Sequence, residues 1–389
     1  MIPRTLFKPE HEAFRDSVRR FVTNELVPYH PAWEDAGIVP RDAWIKAGAA
    51  GMLCCNTAER YGGAGADLLF NVVVIEELAR AGVTGPGFYI HSDMVATYLE
   101  RFASEELKLR WLPKMVTGEA IGAIGITEPG AGSDVRGVTT QARREGNEYV
   151  ISGQKTYISN GQNCDFVIAV TKTDPARPRD AISLILVEAD RPGFVRGRNL
   201  KKLGNHAQDT SELFFDDVRV PVSNLIGDEH GGFRYLGMNL AHERLAQAIR
   251  AATTVEATIA QTVDYVSQRK AFGQTIAEFQ NTQFKLAELQ AASVQARVFV
   301  DRCIELECAG GLDPVDAAAA KLMLSELHCK TVDECLQLHG GWGYMWEYPV
   351  CRAYADARVI KIAGGSVEVM KQIIARDLFK GNRRAAQRG

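Results

Sequence analysis

Gly364 and Gly365 stand immediately before Ser366 and Glu368. Paired glycines let backbone approach a ligand closely, and at a helix start they leave free amides beside a hydroxyl and a carboxylate. A second cluster, Gly340, Gly341 and Gly343, follows Gln337. Neither falls where a plain helix cap needs so many glycines. Two ordinary helix-loop-helix turns would share this composition. The run ITEPGAGSDV at 126–135 is a third candidate. There Thr127 and Ser133 frame small residues that can bring successive amides and two hydroxyls against a planar or anionic ligand, where a simple β-turn would have no such use. The glycine-rich run at 59–67 lacks the lysine of a phosphate loop and reads as a tight connection. His91, His206, His230 and His339 are scattered and form no Ser/His/Asp or metal constellation, so they read as structural or solvated.

Composition narrows the chemistry further. The chain has 389 residues, enough for two or three domains and a buried cofactor. Its formal net charge of -3, without a basic run interleaved with aromatics, argues against a nucleic-acid partner. Eight cysteines show no CxxC pair and no metal-type spacing with histidine, which suits a reducing compartment and no metal. No apolar run is long enough to span a bilayer, and no leader pattern opens the chain. Cytoplasmic placement is therefore expected, with a mature mitochondrial matrix protein as the alternative.

The elements that must carry these loops fall into three blocks. From 9 to about 26, apolar positions recur at helical spacing. Helices are expected next through Trp44 and Ala47, at 68–80 and at 94–116. Near Gly118 the pattern changes to short β-branched and aromatic runs: IGAIG, YVISGQKTYIS, FVIAVTK, AISLILVEA and ELFFDDVRVP. Beyond Phe233 long helices return. Leu245, Ala248, Ile249, Ala252, Ile259, Val263 and Val266 make one apolar stripe, with further helices expected at 280–306, 314–338 and 365–379. The fold class is thus α+β: an N-terminal helical domain (1–119), a middle β-barrel-like domain (120–228) and a C-terminal four-helix bundle (229–389).

These blocks and loops together resemble the acyl-CoA dehydrogenases. The run at 59–65 is similar to the family's EEYGGxG loop, with Arg60 in place of its second acid, and 126–135 to its ITEPGAGSDV signature. Residues 155–160 match its K-x-W/F-I-T/S-N segment, 269–273 its RxxFG motif, and 337–341 and 364–366 its later flavin motifs. Six motifs in the family's order are specific where any one is weak. The resemblance implies FAD between the β domain and the bundle. It places Thr127 and Ser133 near the flavin with Tyr157, Ile158 and Ser159 beside the ring. Arg269, Phe272 and Gln280 would meet the pyrophosphate and adenosine half, with Gln337, Gly340 and Gly341 of a neighbouring subunit, and Ser366 and Glu368 would close on FAD again. Tyr157 departs from the usual tryptophan or phenylalanine.

The reaction so implied removes the α proton of an acyl thioester while the β hydrogen leaves as hydride, which demands a carboxylate over the α carbon and donors on the thioester oxygen. Many family members place that glutamate where this chain has Gly364. A branch resembling long-chain and isovaleryl-CoA dehydrogenases takes it from the first bundle helix, in an E-R-L sequence matched here by Glu243, Arg244 and Leu245. At 100 degrees per residue Glu243 lies opposite the apolar stripe and points away from the bundle core, as a solvated glutamate also would. Gly364 keeps a backbone N–H for the thioester oxygen. Ser133, His242, Arg244 and Gly365 are the implied acyl-CoA contacts.

The expected function is FAD-dependent α,β-dehydrogenation of an acyl-CoA to the trans-2-enoyl-CoA, with an electron-transfer flavoprotein as electron acceptor and a homotetramer as the assembly. The alternatives are an oxygen-using relative, such as an acyl-CoA oxidase or nitroalkane oxidase, and a non-catalytic helical scaffold.

Overall fold

A computed structural model describes residues 2–174, 176, 177 and 179–380. The domain ends assigned at residues 1 and 381–389 lie outside the described residues. The chain begins with helices α1 (Pro9–Phe21), α2 (His30–Ala36), α3 (Arg41–Ala49), α4 (Leu68–Arg80), α5 (Ala96–Phe102) and α6 (Glu105–Thr117). Strands follow: β1 (Gly122–Gly125), β2 (Gln141–Glu145), β3 (Glu148–Ser159), β4 (Phe166–Lys172), β5 (Ile182–Glu188), β6 (Phe194–Asn199), β7 (Thr210–Pro221) and β8 (Leu225–Ile226). Helix α7 (Gly232–Gln268), the small hairpin β9 (Lys270–Ala271) and β10 (Gln274–Thr275), then α8 (Gln280–Cys308), α9 (Pro314–His339), α10 (Pro349–Ala357) and α11 (Val367–Leu378) complete it. The helical, sheet, helical order matches the sequence pattern. The chain divides into two compact units, residues 16–74 with 84–240, and residues 1–15, 75–83 and 241–389.

The first unit is built on one eight-stranded sheet in the order β6-β7-β3-β2-β4-β5-β8, with β1 parallel to β4. Strands β4 and β5 read as continuous apolar runs because both faces are covered. Phe166, Ile168 and Val170 pack with Leu99, Trp111 and Met115 of α5 and α6. Val167 and Ala169 pack on the opposite side with Ile151, Ile185 and Leu213. The single helix expected at 94–116 is two: Ala103 is extended, and Ser104 caps α6 by accepting from the Leu107 amide at 3.3 Å. The run at 59–67 is the tight connection expected, closed by the Gly65 amide on the Thr57 carbonyl. A Cβ at Gly63 would lie 2.0 Å from that carbonyl oxygen.

In the second unit α9 packs against α8, α10 and α11, around Val255, Ile259, Leu289, Cys335 and Val350. Glu76 is buried there, accepting from Arg4 (2.9 Å), Arg15 (2.8 Å) and Arg297 (3.0 Å). Three cations compensate one carboxylate, and together they hold its pKa below the ordinary value although burial alone would raise it. Two expectations for α7 need correction. Val263 is 41% exposed, so it lies off the apolar stripe. Every residue from 241 to 249 is buried, so this stretch has no solvent face. A 3.6-residue count finds one apolar stripe. It does not register that small residues such as Ala248, Ala251, Ala252 and Thr253 let neighbours close in on the remaining faces.

Candidate active site

The sheet unit presents an exposed platform made by an irregularity in β3. Pairing with β7 runs Lys155 to Leu213 and resumes at Ile158 to Ser211, so Thr156 and Tyr157 together oppose a single residue. Such a bulge re-aims side chains. The Thr156 amide donates to the Thr127 carbonyl at 2.9 Å, tying the 126–135 loop to the strand. Tyr157 adopts φ 60 and its ring is 68% exposed. A tyrosine in the left-handed region is uncommon and costs energy, so its exposed aromatic face is held against local preference. The side chain of Ile158 enters the sheet core, which leaves only its backbone for a ligand. Ser159 is half-buried beside it.

The loop itself is latched from below. Glu128 is buried and accepts from the Thr139 amide (2.5 Å) and hydroxyl (2.7 Å), the Thr140 amide (3.0 Å) and the Lys155 ammonium (2.7 Å). Burial would raise its pKa, but the Lys155 charge and these donors outweigh that and hold the carboxyl at about 2. Lys155 donates onward to the Val170 and Ile126 carbonyls. With Glu128 spent inside, Thr127 is left partly buried while Gly130, Gly132 and Ser133 are exposed above it.

The helical unit gathers the candidate chemistry at the Gly364–Gly365 turn. Glu243, expected to point outward, is 2% exposed. It sits in the stretch of α7 that is buried all round. Arg244 follows, with its Nε buried and unpaired, and one helical turn after Glu243 comes Gln247, whose Oε1 is likewise buried without a partner. Burial pulls the Arg244 guanidinium pKa down, against Glu243, which raises it. Gly364 and Gly365 adopt φ 66 and 94, conformations that favour glycine. A Cβ at Gly364 would lie 2.0 Å from Gln247 Nε2, and one at Gly365 would lie 2.7 Å from Met370 Cε and 4.0 Å from Arg244 Nη2. Residue 364 therefore offers backbone where a carboxylate would need space. Ser366 caps α11 by accepting from the Val369 amide at 3.4 Å, and Glu368 lies in that helix's first turn. The capping hydrogen bonds lower the Glu368 pKa. His242 is engaged by Glu307 of α8 at 3.0 Å.

Beyond α7 the chain turns through Phe272 and Gly273, both with positive φ (53 and 84), between paired Ala271 and Gln274. This is a two-residue hairpin turn of the kind that matches strand twist, and it lifts Phe272 to 96% exposure. Arg269 and Gln280 flank the hairpin, both exposed. Gln337, Gly340 and Gly341 are exposed at the end of α9, where Gly340 has φ 61 and ψ -140. His339 beneath them is structural: it stacks on Tyr265 with ring centroids 4.2 Å apart, and its Nδ1 meets the Cys335 carbonyl at 2.8 Å. Gly343 answers a packing need, since a Cβ there would lie 2.4 Å from the Leu336 carbonyl.

The structure thus groups Thr127, Ser133, Tyr157 and Ser159 in one unit. It groups Glu243, Arg244, Gly364, Gly365, Ser366 and Glu368 in the other. Sequence reasoning did not single out Gln247 or Lys321, whose ammonium donates to the Gly365 carbonyl, nor the latching role of Glu128 and Lys155. The one available signal was a polar residue inside an otherwise apolar helix, as in the run AAAAKLML around Lys321. Within the sheet unit, the exposed aromatic face of Tyr157 with adjacent hydroxyls and loop amides fits the planar ring of a cofactor such as FAD. The orphaned Arg244 Nε and Gln247 Oε1 fit a polar ligand at the turn, since a buried unpaired group costs about 1–3 kcal/mol.

Comparison with known proteins matches three successive parts of the chain to one family. The family described as acyl-CoA dehydrogenase, N-terminal domain, matches residues 8–119. The middle-domain family matches 123–218 and the C-terminal-domain family 230–379. The mitochondrial long-chain specific acyl-CoA dehydrogenase of Sus scrofa is 49% identical over 377 residues, covering 96% of this chain and 88% of that one. The crystal structure of an acyl-CoA dehydrogenase from Geobacillus kaustophilus superposes with a TM-score of 0.95 at 46% identity, covering 97% of this chain and 100% of that one. A glutaryl-CoA dehydrogenase from Mycobacterium smegmatis, solved in complex with FADH2, gives a TM-score of 0.89 at 28% identity over 96% of this chain and 95% of that one.

Proposed function

The chain belongs to the acyl-CoA dehydrogenase family of flavoprotein oxidoreductases, and from that premise we propose that it dehydrogenates an acyl-CoA thioester to the trans-2-enoyl-CoA with Glu243 as the base. The observation that carries the reading is the pairing of a buried carboxylate at 243 with a residue 364 that has no room for one. Glu243 takes the α proton. The Gly364 N–H donates to the thioester oxygen, where charge builds as that proton leaves. Arg244, Ser133 and Gly365 line the acyl-CoA, and His242, engaged by Glu307, supports them. FAD, when bound, supplies the acceptor for the two electrons and the hydrogen that leave the β carbon. Thr127, Ser133, Tyr157, Ser159 and the backbone of Ile158 would hold the ring, and Arg269, Phe272, Gln280, Ser366 and Glu368 the remainder, with Gln337, Gly340 and Gly341 contributed by a neighbouring subunit.

An electron-transfer flavoprotein is the electron acceptor in this reading, and the working assembly is a homotetramer. Eight cysteines without a disulfide suit a reducing compartment, the cytoplasm in the first instance. Among the described residues no helix is long and apolar enough to cross a membrane. The test is anaerobic addition of a panel of acyl-CoAs to the purified flavoprotein. Loss of flavin absorbance with one enoyl-CoA formed per flavin is the expected result. An absorbance unchanged by every acyl-CoA would contradict the proposal, and peroxide release in air without another acceptor would assign the oxygen-using alternative.

A further inference from the structure

Buried lysines are rare and are ordinarily compensated by a carboxylate, because removing an ammonium from water costs several kcal/mol. Among the described residues there are two. Lys155 has Glu128. Lys321, on α9 and 1% exposed, has no carboxylate in ion-pair distance among the described residues, and its ammonium donates to the backbone carbonyl of Gly365. The charged groups that act on it are Arg244 from α7, which repels it, and Glu368 from α11, which attracts it. Burial first, and Arg244 second, pull its pKa down to about 8. A costly cation is thus retained to hold one peptide oxygen.

That oxygen belongs to a turn that would otherwise be loose. Gly364 and Gly365 are the residue type with the most backbone freedom to lose, and both sit at positive φ. On the far side Ser366 is fixed by its capping bond to the Val369 amide. We propose that Lys321 is a positioning residue that fixes the Gly364–Gly365 turn, holding the Gly364 N–H in place for the thioester oxygen. This rests on the dehydrogenase reading above. Lys321 touches neither substrate nor cofactor in it. It acts through the peptide it grips, and a neutral lysine, lacking the charge, grips that carbonyl less strongly.

The test compares wild type, Lys321→Met and Lys321→Arg as purified flavoproteins, following anaerobic flavin reduction by a saturated straight-chain acyl-CoA in stopped flow. For Lys321→Met the limiting reduction rate falls roughly 10- to 100-fold, while the apparent Kd for acyl-CoA moves less than about threefold, the pattern of an interaction used in the transition state. In wild type the limiting rate declines as pH rises through about 8. Lys321→Met shows no such limb, and Lys321→Arg, which stays charged, carries its rate to higher pH. If Lys321→Met does not retain flavin or fold, the other two proteins decide: an alkaline limb displaced upward in Lys321→Arg supports the inference, and a limb unchanged by the substitution overturns it. A wild-type rate that is flat through pH 8, or Lys321→Met reducing at the wild-type rate, also overturns it. Wild-type flavin that no acyl-CoA reduces would instead overturn the dehydrogenase reading, an outcome told apart because failure of the present inference leaves wild type active.

Discussion

At the scale of single residues, burial separates side chains that look alike in the sequence. Glu128 and Glu243 are both buried glutamates, yet Glu128 is saturated by four donors and Glu243 is followed by an orphaned arginine nitrogen and an orphaned glutamine oxygen. A saturated carboxylate holds structure, whereas unspent polar atoms mark where a ligand completes the bonding. Glu128→Gln would leave Lys155 buried without its anion, so a loss of about 3–5 kcal/mol in urea unfolding is expected, with weakened flavin retention as the 126–135 loop loosens. Unchanged unfolding would show that the latch contributes little. Tyr157→Ala removes the exposed ring and is expected to raise the FAD dissociation constant by roughly tenfold, the size of about 1–1.5 kcal/mol of aromatic stacking. Flavin release during dialysis would measure it.

At the scale of elements, His91 joins a helical turn to the sheet within one unit. Its Nε2 meets the Met115 carbonyl at 3.0 Å and its Nδ1 accepts from the Gly122 amide at 3.1 Å, so the ring is held neutral with its proton on Nε2. Burial brings its pKa from 6.5 down to about 4. The unfolded chain then takes up a proton that the folded one refuses between those values, and stability falls as pH drops from about 6.5 to about 4. His91→Gln is expected to flatten that slope while costing about 1–3 kcal/mol at neutral pH, read from urea unfolding at several pH values. The elements themselves were largely legible. Strands β4 and β5 announced themselves as apolar runs because both faces are covered, and α4 was found at its observed limits. Strands β2 and β6 escaped notice because QARRE and FVRGRN are polar and largely exposed, with no alternation to read. The β3 bulge was invisible too, since register is a property of two strands, and one strand's sequence does not contain it. Gln247 and Lys321 were hidden for a related reason: a lone polar residue in a helix reads as solvated until its neighbours are known.

At the scale of the whole molecule, the six ordered motifs made the family legible, and exposed apolar surface supports the homotetramer proposed from that resemblance. Phe272 at 96% exposure has Phe284, Trp342 and Tyr344 as exposed companions in the same unit, and large aromatics left in water mark surfaces that a partner covers. Phe272→Ser is expected to lower flavin occupancy and to shift sedimentation from four chains toward smaller species; an intact, fully flavinated tetramer would remove Phe272 from the interface. The central claim, that this chain takes its base from α7, is tested most directly by Glu243→Gln in the flavin-loaded enzyme mixed anaerobically with the best acyl-CoA substrate. Flavin absorbance and acyl-CoA affinity should be retained while the reduction rate falls by about 10²–10⁴-fold, the usual weight of a positioned general base. Reduction at the wild-type rate would contradict the assignment and place the proton's acceptor elsewhere in the protein.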